Sequence, residues 1–227
     1  MDGGGLSTFD IYFITGLTVL FTLSYSVGIH MNRRVLRRIW RRLSGVVRPI
    51  CGRRVGFRNF GSSGFKVWCR PKSKSLSKLE ISVFLLSREI ILYYLYAKAR
   101  GKRDRLVILS SLKERPKMKL DIVSRRITEK VSVSRGAKLI KVKGLPSDLI
   151  AASTKPKEAE KALRNPRVLG ELRKIRPIFR SLSLSMEEPH LELLCDLDEN
   201  LLEEALKFVD ALGEAVLTAP RGGRQHP

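Results

Sequence analysis

The hydrophobic pattern divides the chain at its thirty-second residue. From Ile11 to Asn32 no residue is charged. As a helix, IYFITGLTVLFTLSYSVGIHMN would rise about 33 Å, enough to cross a hydrocarbon core of about 30 Å. Asp10 bounds it on one side and Arg33-Arg34 on the other. A cleaved signal peptide has a basic start, a shorter apolar core and a small-residue cleavage site. Here the start carries Asp2 and Asp10, and arginines stand where cleavage would fall. The pattern predicts a transmembrane helix over 11–32, behind a short extracytoplasmic tail, 1–10. Thr18, Thr22 and Ser26 recur at four-residue spacing, read as tolerated hydroxyls rather than a pairing face.

Residues 33–43, RRVLRRIWRRL, change pattern. On a helical wheel Arg33, Arg34, Arg37, Arg38, Arg41 and Arg42 fill one half, while Val35, Leu36, Ile39, Trp40 and Leu43 fill the other. Directly after a span, this predicts a basic amphipathic helix lying on the membrane surface, with Trp40 at headgroup depth. Those six arginines and Trp40 are the candidate residues for binding lipid headgroups or nucleic acid. Residues 44–64, with Gly45, Pro49, Gly52, Gly56, Gly61 and Gly64, have the composition of a linker.

From Phe65 short apolar runs alternate with turn residues. FKVWC (65–69), LEISVFLL (79–86), EIILYYLYA (89–97), RLVILSSL (105–112), KLDIVS (119–124), EKVSVS (129–134) and AKLIKVKG (137–144) read as strands, several with period two. A strand pair turning at Ser87-Arg88 explains 79–97 better than a second span, because Arg88 and Glu89 interrupt the run. After Pro146 the period becomes helical. Thr154-Lys155-Pro156 opens one helix and Pro166 another, PRVLGELRKI. Strands follow at 179–186 and 190–197, and then a helix behind Asp198. The predicted fold is α+β: a mainly antiparallel sheet with one face to water, a helical pair and a C-terminal helix, over 65–217. The tail, 218–227, reads as disordered.

The order of elements over 149–216, from ASTKPKEAEKALRNPRVLGELRKI through two strands to a Leu-rich helix, resembles uncharacterised single-pass membrane-anchored α+β protein families of archaea and bacteria. That resemblance implies a small membrane-tethered α+β domain and brings no catalytic residues with it.

Composition sharpens the picture. The chain has 227 residues and a net charge of +22. All ten charged residues from Arg33 to Arg58 are arginines, and by the positive-inside tendency this flank stays in the cytosol, leaving the N-terminus outside the cell membrane. One Gln and four Asn among many charges is a thermophile-like bias. Cys51, Cys69 and Cys195 are odd in number and lack a CxxC pair, which argues against a disulfide framework or zinc site. His30, His190 and His226 have no neighbour at ligand spacing. His190 and Cys195 fall on opposite faces of a strand, and Cys195 reads as core. No phosphate-cradling glycine motif is present. Catalytic residues, metal ligands and cofactors are therefore assigned as none.

Charge supplies the remaining signal. Ten acidic residues crowd 187–214 against one lysine, Lys207, while the rest is basic. Lys72, Lys74, Lys78, Arg100, Lys102, Arg103 and Arg105 gather in two turns that can reach headgroups or nucleic acid. The functional reading is a membrane-anchored cytosolic binding or scaffold module, docked on anionic membrane lipids through the basic helix, with its domain open to a protein partner. The alternatives are a membrane-tethered nucleic-acid or ribosome-binding protein, and an enzyme working at the membrane surface. Oligomeric state is left open.

Overall fold

A computed structural model describes residues 7–125 and 136–219 of the chain. The strand expected over 129–134 and nearly all of the tail lie outside these residues, as do residues 1–6.

The first element is a single helix, α1 (Thr8–Cys51), of 44 residues, about 66 Å long at the standard rise. Ser7 caps it: the Asp10 N–H donates to Ser7 Oγ, and the Ser7 N–H donates back to Asp10 Oδ2. Its N-terminal part, near the chain's start, is long and apolar enough to cross a membrane and is almost entirely exposed. The helix does not end at the arginines. Their apolar half-wheel, Leu36, Ile39 and Leu43, continues through Val47 to Cys51, and all five residues are buried in the domain core. The basic helix expected on the membrane surface is thus the root of the domain. The reason is energetic: each of these side chains gains about 1.5–3 kcal/mol on burial, and the sheet offers a complete apolar face to receive them.

After α1 comes a meander, β1 (Val55–Asn59), β2 (Gly64–Cys69), β3 (Leu76–Phe84) and β4 (Arg105–Leu112), interrupted by a helix, α2 (Ile91–Ala99), between the last two strands. Then follow β5 (Leu120–Ser124), β6 (Lys138–Ile140), β7 (Leu149–Ser153), α3 (Pro156–Leu163), α4 (Pro166–Ile175), β8 (Phe179–Leu184), β9 (Leu191–Asp196) and α5 (Leu202–Thr218). The nine strands form one antiparallel sheet in the order β1-β2-β3-β4-β9-β8-β5-β7-β6. The α+β class and the one-faced sheet predicted from patterning are those observed.

Alternation places Phe65, Val67, Val83, Ile108, Leu193 and Cys195 against the helical layer. Their strand neighbours Lys66, Trp68, Glu80 and Glu192 look outward. The layer consists of the end of α1 with α3, α4 and α5. The last is pinned by Asp210, which accepts from Ser73 Oγ (2.5 Å) and pairs with Arg167 (3.5 Å).

Three expectations give way. The presumed linker 44–64 is helix to Cys51 and then strand β1; Gly61, at φ +70°, makes the β1–β2 turn rather than a flexible tether. The segment 89–97, read as a strand, is helical from Ile91 onward, as α2. β3 pairs directly with β4, Phe84 opposite Arg105, so the intervening run has no strand edge to join and satisfies its backbone internally. Finally, Cys51 and Cys69 form a disulfide, with Cα atoms 5.8 Å apart across a sequence separation of 18. The β1–β2 hairpin returns the chain to the end of α1, a proximity that sequence spacing conceals.

Candidate membrane-facing site

The six arginines from Arg33 to Arg42 are all exposed and form a ridge along the side of α1 that faces away from the sheet. Arg38 and Arg42 reach the chain ahead of α5: Arg38 Nε lies 3.7 Å from Glu199, and Arg42 Nη1 donates to Asn200 Oδ1 at 2.9 Å. Both pairs are solvent-exposed and contribute at most about 1 kcal/mol each. Trp40 is turned the other way. Its ring meets Phe57 (5.0 Å) and Phe65 (5.8 Å) edge to face, so one side of it packs against the sheet while the rest stays half-exposed. The structure therefore keeps the arginines together, and half-buried Trp40 still lines a shallow groove with Arg34, Arg37, Arg38 and Arg41.

At the other end of this helical root sits a constellation the sequence did not advertise. Asn32, fully buried, closes the uncharged stretch. Its Nδ2 donates to the Leu86 carbonyl (3.3 Å), and its Oδ1 accepts from Arg88 Nη1 (2.7 Å). Arg88 Nη2 donates to Asp104 Oδ2 at 2.7 Å, and Asp104 Oδ1 accepts the Leu86 N–H at 2.8 Å. The guanidinium also stands 5.2 Å from the Tyr94 ring centre. One half-buried arginine thus ties α1, the end of the β3–α2 link and the start of β4 together. Gly28, one turn before Asn32, lets the Arg88–Glu89 backbone lie against α1: a Cβ there would fall 2.2 Å from the Arg88 carbonyl oxygen. The β1–β2 turn joins the same rim through Ser62 Oγ, which donates to Glu89. Phe60 and Phe84 stack there at 6.1 Å.

The histidine and cysteine read as non-catalytic occupy structural places. His190 is buried and its Nδ1 accepts the Leu112 N–H at 2.9 Å, fastening β9 to the end of β4. Cys195 is fully buried; burial, and then the neighbouring Asp196 charge, push its thiol up to about 12, so it carries no thiolate at neutral pH. Among the described residues no group of three His, Cys, Asp or Glu is placed to hold a metal ion. A cleft of about 520 Å³ lies between α1 and α5, floored by Val46, Ile50, Leu76 and Leu206 and rimmed by charges of both signs: Arg42, Lys72 and Lys207 against Glu203 and Asp210.

These features define an α+β domain fused without a break to an N-terminal helix of membrane-spanning length. No protein-family profile matches the chain. No curated protein sequence matches it. Among solved structures, the crystal structure of the mycobacterial trehalose monomycolate transport factor A, TtfA, is similar over 71% of this chain and 68% of its own, at 10% identity and a TM-score of 0.36.

Proposed function

We propose that the protein is a membrane-anchored binding or scaffold module, held by α1 in the cell membrane and positioned over it by contacts between arginines and anionic headgroups, with its N-terminus outside and its domain in the cytosol. The observation that carries this reading is the unbroken passage of α1 from an uncharged membrane-length stretch into an exposed arginine ridge. Arg33 and Arg34 begin the turn that leaves the apolar stretch, at the depth of headgroups, and Arg37 stands one turn beyond. Each arginine near an anionic leaflet contributes about 1 kcal/mol. Arg38, Arg41 and Arg42 stand up to about 14 Å above Arg33 along the helix; they add to the attractive field of the ridge and leave it open to a protein partner.

The test uses the full chain in nanodiscs of mixed zwitterionic and anionic lipid. Spin-labelled anionic lipid should be enriched several-fold at the protein surface, with enrichment falling as salt rises. It should drop on replacing Arg33, Arg34 and Arg37 with Gln. The nucleic-acid reading rests on the same ridge. It gains if RNA shifts the nanodisc-held chain steeply with salt while the lipid preference is absent.

A further inference from the structure

α2 is built unlike any other helix in the domain. From Ile90 to Ala97 it carries no charge, and only Tyr94 and Ala97 turn toward the protein. Leu92 is 73% exposed and Leu95 55%. A soluble surface helix shows water a polar face; this one shows it leucine, isoleucine and tyrosine, and a contiguous apolar patch of this kind marks a contact surface. Burying each of the aliphatic side chains is worth roughly 1.5–3 kcal/mol.

Its location identifies what covers it. Gly28 receives the Arg88–Glu89 backbone, immediately before α2 begins, and Gly28 lies inside the uncharged stretch of α1, about 7 Å short of Arg33 along the helix axis. The start of α2 is therefore held at the depth where the apolar stretch of α1 is ending. At about 14 Å long, α2 is too short to cross a bilayer. Its chemistry suits the boundary between headgroups and acyl chains. The aliphatic residues alternate with the exposed Tyr93 and Tyr96, aromatics of the kind that collect at that depth, and Lys98, Arg100, Lys102 and Arg103 follow at its end to meet phosphates. The exposed stacked pair Phe60 and Phe84 belongs to the same rim, tied to α2 through the Ser62–Glu89 hydrogen bond.

We infer that α2 is a second membrane element: an interfacial helix lying in the plane of the bilayer beside the span, with Ile91, Leu92 and Leu95 in the acyl boundary and the basic turn after it on the headgroups. The occupant of the patch is the lipid of the bilayer that holds α1. The inference rests on α1 crossing that bilayer and is independent of any preference of the arginine ridge for anionic lipid.

The experiment is photo-crosslinking of the full chain in zwitterionic nanodiscs that contain an alkyne-tagged phospholipid. Benzoylphenylalanine is placed in turn at Leu92, at Leu95, at Tyr12 within the span, and at Leu139, an equally exposed leucine on β6 at the far edge of the sheet. Labelling at Leu92 and Leu95 is expected to approach that at Tyr12 and to exceed Leu139 by roughly ten-fold, as for a helix seated in the interface. Lipid labelling at Tyr12 with only background at Leu92 and Leu95 overturns the interfacial helix and leaves the span intact. Absence of labelling at Tyr12 overturns the span itself. A crosslink from Leu92 to a second copy of the chain, without lipid, assigns the patch to self-association and overturns the inference. Leu92→Asp with Leu95→Asp, both at exposed positions, should leave the fold unchanged and expose residues 91–99 to faster amide exchange in nanodiscs than the wild type shows.

Discussion

Single residues on the outer face of the sheet carry a measurable electrostatic load. Glu80 of β3 stands between Lys66 of β2 and Lys78, 2.6 Å from the latter, with its carboxylate mostly covered. The hydrogen bond from Lys66, and then that from Lys78, hold its carboxyl below the usual carboxylate value despite the opposing effect of partial burial. A carboxyl lowered by folding stabilises the native state above its unfolded value, and that contribution is lost as pH falls through the lowered folded value. Glu80→Gln is expected to destabilise the chain at pH 7 and to cost progressively less below about pH 4.5, the ordinary value for a glutamate. Urea midpoints of both forms across that range check it; a gap that stays constant down to pH 3 rules out the paired carboxylate as its source. The pairing follows from register, Lys66 lying across from Ser82 and Glu80 from Trp68, which becomes readable only once β2 and β3 are aligned. The same holds for Arg88. In the sequence it interrupts an apolar run and reads as a turn. In the fold it is a partly buried charge paired by Asp104 and Asn32, partners 16 and 56 residues away.

At the scale of elements, legibility tracks how local the deciding physics is. β4, α4 and β9 match their patterns to within a residue or two, because alternation and a capped helical period are written into adjacent positions. Asn165 caps α4 as its type suggests, accepting from the Arg167 N–H. α3 starts where Pro156 predicts, yet Thr154 spends its hydroxyl elsewhere, accepting from the Lys119 N–H beside β5. α2 was illegible for the opposite reason: its β-branched and aromatic composition favours a strand, and only the direct pairing of β3 with β4 excludes it from the sheet. The arginine segment was half legible. Its amphipathy was evident, but whether lipid or protein covers the apolar half depends on a sheet assembled from distant residues. The disulfide belongs to this scale, because it staples the end of α1 to the end of β2. Closing a loop of that length stabilises a fold by about 3 kcal/mol. Replacing Cys51 and Cys69 together with Ser should lower the unfolding free energy by that order under oxidising conditions. Wild type measured in a strong reductant should fall to the same level; if it does not, the bond is not formed in the purified chain.

For the whole molecule, two features bear on the proposed orientation in the membrane. The arginine-only flank after the span favours the cytosol, whereas a structural disulfide ordinarily belongs to oxidising compartments. Intracellular disulfides are common in hyperthermophiles, so the disulfide does not by itself contradict the proposed orientation. Protease treatment of intact cells expressing the chain with a C-terminal tag should leave the tag protected until the membrane is opened. Digestion from outside would reverse the orientation and make the disulfide an ordinary one.

On the proposed spanning arrangement, the continuity of α1 has a mechanical consequence. A span whose apolar length exceeds the local bilayer tilts to fit it. Because helix Thr8–Cys51 runs on into the core, the tilt is not absorbed at a hinge but delivered to the sheet. Over the roughly 27 Å from Arg33 to Cys51, a 20° change in tilt swings the far end of the root by about 9 Å. With α1 set in a bilayer as proposed, the domain becomes the needle of a gauge, deflected by the thickness of the membrane that holds its axle.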